Sequence, residues 1–298
     1  MIQGGRSSRC GFVAILGAPN VGKSTLVNRL VGTKVSIVTH KVQTTRTRVL
    51  GISIVGASQI VFVDTPGIFA PRRRLDRAMV AAAWGGAADA DLVAVLVDSA
   101  KGIDGDTARI LERLESRKRD AVLVLNKIDR VKKPALLALA AEVEETETFM
   151  ISALNGDGVD DMKTYFASAV SEGPWLFPED QISDTPLRLM AAEVTREKVF
   201  LELRQELPYA ATVETERWQE GGDGSVRIEQ VIYIERDSQK GIVLGKGGQR
   251  VKAIGAESRR ELEELLERRV HLFLFVKVRE RWGDDPERYR EWGLDFDA

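Results

Sequence analysis

Residues 12–25, FVAILGAPNVGKST, join a short β-rich apolar run to a glycine-bounded loop that ends in Gly-Lys-Ser. The loop from Gly17 to Ser24 fits the spacing GxxxxGK[ST], and the run before it ends at Leu16. A helix starting near Lys23 completes the strand, loop and helix that a phosphate cradle needs. In that setting the N–H groups of Gly22, Lys23 and Ser24 face oxyanions, helped by the positive end of the helix dipole. Lys23 reaches the β- and γ-phosphates, and Ser24 offers its hydroxyl to Mg²⁺, a hard cation that takes oxygen ligands. The candidate nucleotide-binding loop is therefore Gly17, Ala18, Pro19, Asn20, Val21, Gly22, Lys23, Ser24 and Thr25. A plain glycine turn is the competing reading, and it gives no reason for Lys-Ser at the helix start.

Outward from this loop, to about Val170, further apolar runs follow: IVFVDTPG, LVAVLVDS, AVLVLNKID and FMISAL, separated by longer helical stretches. Runs without polar alternation suit strands buried on both faces, which predicts an α/β domain with a parallel-rich sheet and helices on both sides. Each run ends in a polar residue or glycine, where ligands of such sheets sit. Asp64, Thr65, Pro66 and Gly67 follow one strand. Asp64 is placed to hold the magnesium shell as a Walker-B aspartate, and the Gly67 N–H to meet a γ-phosphate. Asn126, Lys127 and Asp129 follow another. A carboxylate accepts from guanine N1–H and its amino group, whereas adenine offers no such donor pair, so Asp129 reads guanine. Asn126 and Lys127 are expected to brace that loop. Ser152, Ala153 and Leu154 follow a third strand, where the Ala153 N–H is expected to meet guanine O6.

Between the first helix and the next strand lies HKVQTTRTRVLG, the place for a threonine that grips Mg²⁺ only while the γ-phosphate is present. Thr45 is the favoured candidate and Thr44 the alternative; a threonine-rich strand edge is the bland reading. Lys23, Thr45, Asp64 and Gly67 form the predicted catalytic set. Position 68, where Ras-like proteins carry a water-orienting glutamine, is Ile68, whose alkyl chain cannot orient water, so intrinsic hydrolysis is expected to be slow.

The chain has 298 residues, long enough for two domains. The reading assigns 10–173 to nucleotide binding, 174–185 to a linker interrupted by Pro174 and Pro178, and 186–298 to a second, α+β domain. With 44% hydrophobic and 30% charged residues and no apolar stretch of about 18 residues, an integral membrane protein is not expected. The apolar run at the start is too short for a signal peptide. One cysteine, Cys10, and two histidines, His40 and His271, leave little material for a disulfide, a zinc site or a histidine-based triad. A formal net charge of −2 restricts any nucleic-acid surface to a local patch.

The second domain reads as helix, two strands, short helix, glycine loop, helix and strand. That order resembles a type II KH domain, with Gly245, Lys246, Gly247 and Gly248 as a GxxG loop that clamps about four single-stranded nucleotides. Lys240, Lys246, Arg250 and Lys252 lie in a stretch with no acid between Asp237 and Glu257, a local basic patch. Gly247 stands where this family's loop is often basic, with the charge at Lys246 instead.

Boxes in the order GxxxxGKS, DTPG, NKID and SAL resemble the G1, G3, G4 and G5 boxes of translation-factor-type GTPases. Together with QTTR, the linker FPEDQISDTPLRLMAAEVTREKVF, LPYA, IERDSQKGIVLGKGG and VHLFLFVKVRERW, they make nearly the whole chain resemble the Era-type GTPases. The resemblance implies GTP and GDP as ligands and 16S rRNA near its 3′ end as the partner. It also implies a role in assembly of the 30S ribosomal subunit, in a bacterial cytoplasm with some peripheral association with the cell membrane; a monomer is the default expectation. Asn20 matches a residue that coordinates K⁺ in some GTPases with a hydrophobic residue at the glutamine position, the alternative being an ordinary polar loop residue. The rival function is an RNA-binding assembly module in which bound GTP is structural and turnover incidental. An ATP-using P-loop kinase is disfavoured by NKID, and a tRNA-modifying GTPase by the GxxG domain.

Overall fold

The computed structural model describes residues 8–41, 43–142 and 146–298, so residues 1–7, included in the search for targeting signals, and Val42 of the switch stretch lie outside the described residues. Two compact units form: one running to Asp184 and including Tyr289–Ala298, the other Thr185–Arg288.

In the first unit the elements run β1 (Arg9–Gly17), α1 (Lys23–Val31), β2 (Val49–Val55), β3 (Ser58–Asp64), α2 (Arg74–Asp89), β4 (Leu92–Asp98), α3 (Gly105–Ser116), β5 (Val122–Asn126), α4 (Lys133–Ala141), β6 (Thr148–Ile151) and α5 (Val159–Ala169). The sheet order is β2-β3-β1-β4-β5-β6. Each neighbouring pair is parallel except β2 with β3, which form an antiparallel hairpin. β2 was not among the apolar runs picked out above; its partner is its immediate neighbour in sequence, across a turn at Gly56.

Burial explains the continuous apolar runs. Val13, Ala14, Ile15 and Leu16 are each fully buried. Val13 and Ile15 pack on one face with Phe62, Leu96, Val124 and residues of α1 and α5; Ala14 and Leu16 pack on the other with Val95, Leu125 and residues of α2 and α3. Helices on both faces remove any reason for polar alternation. Polar residues at the carboxyl ends of β3, β4 and β5, namely Asp64, Asp98 and Asn126, face the site.

The proline-rich stretch is held rather than loose. Gln59, fully buried on β3, accepts from the N–H of Leu176 and Phe177 at 2.9 and 3.0 Å and donates to the Phe177 carbonyl at 2.8 Å. Further on, the Ile52 N–H donates to the Ile182 carbonyl at 2.9 Å, so the segment runs beside the outer strand.

The second unit holds α6 (Leu187–Glu202), β7 (Ala211–Glu220), β8 (Val226–Ile234), α7 (Asp237–Leu244), α8 (Gln249–Leu266) and β9 (Val270–Val278). β7 and β8 are antiparallel and β8 and β9 parallel, in the order β7-β8-β9. Helices cover one sheet face, so β9 alternates between exposed and half-buried residues instead of being buried throughout. The last ten residues, expected in this domain, group with the first unit. The reason lies on α2: the Arg74 guanidinium stacks on the Phe296 ring at 4.2 Å and donates to the Phe296 carbonyl at 3.2 Å, and Arg77 donates to the Ala298 carbonyl at 3.3 Å.

Phe166 on α5 is fully buried, edge-on to Phe62 with ring centroids 6.1 Å apart. Replacing it by alanine leaves a cavity between helix and sheet, and urea unfolding of Phe166→Ala is expected to show a loss of about 3–5 kcal/mol.

Candidate nucleotide and RNA sites

β1 delivers Gly17 at its carboxyl end, and the chain turns through Ala18 to Gly22 into α1. Gly22 has φ 103°, a left-handed conformation, and a Cβ there would run into the Asn126 side-chain amide. Only glycine meets both demands. The loop opens onto a cleft of about 630 Å³ lined by Pro19, Asn20, Gly22, Lys23, Ser24 and Thr25 of this loop. Thr39, Lys41, Gln43, Thr44 and Thr45 of the switch stretch, Gly67, Asp98, and Asn126, Lys127, Asp129, Ala153 and Leu154 of the later boxes also line it. The four sequence boxes, far apart in the chain, thus share one cleft.

Lys23 is buried, and its Nζ donates to the carbonyls of Gly17 and Ala18 at 3.0 and 2.9 Å. Burial draws its pKa down to about 8, against the pull of Asp64. Asp64 at the end of β3 is fully buried, and desolvation pushes its carboxyl above the usual carboxylate range. Its Oδ2 accepts from Ser24 Oγ at 2.8 Å, Ser36 Oγ at 2.6 Å and Thr45 Oγ1 at 3.2 Å, and Ser24 and Thr45 lie 2.8 Å apart. Its Oδ1 is buried without a hydrogen-bond partner. Two hydroxyls and a carboxylate with a spare oxygen are hard oxygen donors at one point, a set that fits Mg²⁺. Among the described residues no cluster of three His, Cys, Asp or Glu side chains offers a different kind of metal site.

The two threonines separate here. Thr45 joins Ser24 and Asp64; Thr44 Oγ1 instead bonds Thr39 Oγ1 at 2.7 Å and the Lys41 carbonyl at 2.8 Å. Thr65 turns inward, its hydroxyl donating to the Ile15 carbonyl at 2.7 Å. The Ile68 N–H donates to the Gly17 carbonyl at 3.1 Å, while its side chain is buried against Ala14, Leu16 and residues of α2. That alkyl chain is part of the core and cannot orient water.

At the opposite end, Asn126 is buried and spans two loops: its Nδ2 donates to the Val21 carbonyl at 2.8 Å and its Oδ1 accepts from the Ala153 N–H at 3.0 Å. The Ala153 N–H, expected on guanine O6, is thus engaged by Asn126. Ser152 Oγ donates to Asp129 Oδ1 at 2.6 Å, and Leu154 is exposed. Lys127 adopts φ 66°, and its Nζ bridges the Asn20 carbonyl at 2.6 Å and Asp98 Oδ2 at 2.7 Å.

Three positioning residues escaped the sequence reading. Ser36 holds Asp64; Arg29 donates to the carbonyls of Ala153 and Leu154; and buried Asp98, at the end of β4, anchors Lys127. Asp98 ends an apolar run just as Asp64 does, and that was the signal available.

In the second unit the glycine loop links α7 to α8. Gly245, Gly247 and Gly248 have φ of 74°, 60° and 78°, and a Cβ on Gly245 would come within 2.8 Å of the Arg250 Cβ. Nothing lies near Gly247 or Gly248, so their backbone is open to a ligand. Lys246 and Lys252 are exposed and Lys240 half-buried, whereas the Arg250 guanidinium donates to the Ile242 carbonyl and braces α7 against α8.

Removing the Asp98 charge frees Lys127. Asp98→Asn is expected to weaken GDP and GTP equally, by roughly tenfold, in fluorescence titrations with labelled nucleotides; a loss confined to GTP would contradict this.

A family model described as 50S ribosome-binding GTPase matches residues 12–127, and a KH domain model matches residues 206–283. GTPase Era of Rhizobium meliloti (strain 1021) is 65% identical over 293 residues, covering 97% of this chain and 94% of the relative. GTPase Era of Brucella suis biovar 1 is 64% identical over the same shares. Among solved structures, Era in complex with MgGDPNP and nucleotides 1506–1542 of 16S ribosomal RNA superposes with a TM-score of 0.91 at 39% identity, covering 96% of this chain and 99% of that one. Aquifex aeolicus Era bound to GDP and AlF4⁻ gives 0.91 at 40% identity over the same shares. Site geometry, both domain matches and identity along almost the full length agree: the chain belongs to the Era family of GTPases.

Proposed function

We propose that this GTPase is a switch that binds 16S rRNA near its 3′ end and assists assembly of the small ribosomal subunit. The observation that carries the reading is the meeting of Ser24, Thr45 and Asp64 at one point of the cleft. With GTP bound, Ser24 and Thr45 would hold Mg²⁺ and Asp64 would order its shell, supplying charge neutralisation at the phosphates. Lys23 leaves the loop carbonyls for the phosphates, and the Gly67 N–H takes the γ-phosphate. Loss of that phosphate removes the reason for Thr45 to stay. Asp129 reads guanine N1–H and the amino group, so Asp129→Asn, which adds a donor, is expected to shift preference towards xanthine nucleotides in competition titrations.

Because Ile68 is buried in the core, the charge that speeds hydrolysis has to come from elsewhere. In this reading Asn20, exposed in the loop with φ 64°, offers its side chain to K⁺. Turnover is expected to be faster in K⁺ than in Na⁺ at equal ionic strength, and equal rates would remove the K⁺ site.

RNA binding falls to Gly245, Lys246, Gly247 and Gly248, whose open backbone admits a sugar-phosphate chain, with Lys240 and Lys252 adding charge. The Era complex with 16S ribosomal RNA supports this partner. The protein works in this reading as a cytoplasmic monomer, with membrane contact limited to peripheral association; among the described residues no helix is long and apolar enough to cross a membrane.

The test is GTP turnover with and without RNA matching the 3′ end of 16S rRNA, in wild type and in Gly248→Asp, which sets a carboxylate where phosphates pass. RNA is expected to raise turnover in wild type and not in the variant, while RNA-free turnover stays equal. RNA binding without any effect on turnover would favour a binding module with a structural nucleotide.

A further inference from the structure

Gln43 opens the QTTR stretch and Asp76 lies in α2, and the nucleotide site as described gives neither a role. Gln43 lies in the switch stretch with φ 61°, a region that costs energy for a residue with a side chain. Its Nε2 donates to Asp76 Oδ1 at 2.7 Å. Asp76 sits in the first turn of α2, where an acid ordinarily faces solvent and complements the helix dipole. Here it is only 4% exposed. Its Oδ2 accepts the N–H groups of Arg72 and Arg73 at 3.0 and 2.9 Å, so one carboxylate starts the helix and holds the switch stretch at once.

The stretch is folded on itself by Thr44, which bonds Thr39 and Lys41, and Thr45 follows directly with its hydroxyl against Ser24 and Asp64. Gln43 therefore lies inside the turn that Thr44 closes, two residues before the metal-site threonine, with a tie to the helix that follows the DTPG loop. We propose that the Gln43–Asp76 hydrogen bond is a positioning contact that clips the switch stretch to α2 and thereby holds Thr45 at the metal site. Its functional consequence rests on Thr45 being a magnesium ligand.

A state with Mg²⁺ and a γ-phosphate needs Thr45 in place; a GDP state does not. Cutting the clip thus penalises the first state and spares the second. Gln43→Ala is expected to raise the Mg²⁺ concentration that half-saturates binding of a nonhydrolysable GTP analogue by roughly three- to tenfold, with GDP affinity held within about twofold. In the nucleotide-free protein, amide hydrogen exchange over residues 39–46 is expected to accelerate by a similar factor, with the rest of the chain and the melting temperature unchanged. Gln43→Glu sets two carboxylates together and is expected to do more harm; adding Asp76→Asn reverses the polarity of the bond and restores the wild-type behaviour.

Exchange over residues 39–46 that matches wild type in Gln43→Ala would overturn the clip, and so would acceleration spread over the whole first unit. Thr45→Ala separates the two ideas. A shift in magnesium dependence with Thr45→Ala and none with Gln43→Ala rejects the clip. No shift with Thr45→Ala rejects the ligand role of Thr45, and the exchange result then decides the clip alone.

Discussion

The structure of the first unit turns on one buried carboxylate. Asp64 is fully removed from water, and a charge in that position costs several kcal/mol unless donors or a cation compensate it. Three hydroxyls converge on its Oδ2: Ser24 from α1, and Ser36 and Thr45 from the stretch between α1 and β2. Helix start, switch stretch and strand end are thereby tied to one atom. The other oxygen keeps no hydrogen-bond partner, and burial still pushes the carboxyl pKa upward. A divalent cation held at this point would offset that cost and would link the stability of the switch arrangement to its ligand.

The same economy of strand ends builds the base site. Asn126 at the end of β5 bonds the phosphate loop on one side and the loop after β6 on the other, while Asp98 at the end of β4 anchors Lys127. Phosphate and base recognition are therefore braced by shared contacts. In the second unit three glycines at positive φ keep side chains away from the loop between α7 and α8. In the proposed reading the two glycine loops answer different ligands, the first by aiming N–H groups from a helix end, the second by leaving room.

The sheet was legible because burial on both faces leaves uninterrupted apolar runs, and the boxes because each follows such a run. Thr45 against Thr44 was not legible, since adjacent hydroxyls differ only in where the folded loop points them. Ser36, Arg29 and the Gln43–Asp76 pair act through contacts across long sequence separations that no spacing rule announces, whereas Asp98 carries the signal of a polar residue ending an apolar run. The bond from the Ala153 N–H to the Asn126 side chain spans 27 residues and is visible only in three dimensions. The grouping of the last ten residues with the first unit depends on Arg74 and Arg77 of α2, whose contacts to Phe296 and Ala298 span more than 200 residues.

The central claim is that Asp64 couples magnesium to the switch. Its most direct test is calorimetric titration of a nonhydrolysable GTP analogue into wild type and Asp64→Asn, each with and without Mg²⁺. The account predicts that the variant loses the magnesium-dependent gain in affinity while its magnesium-free affinity stays near that of wild type. A variant that keeps the full magnesium gain would contradict it.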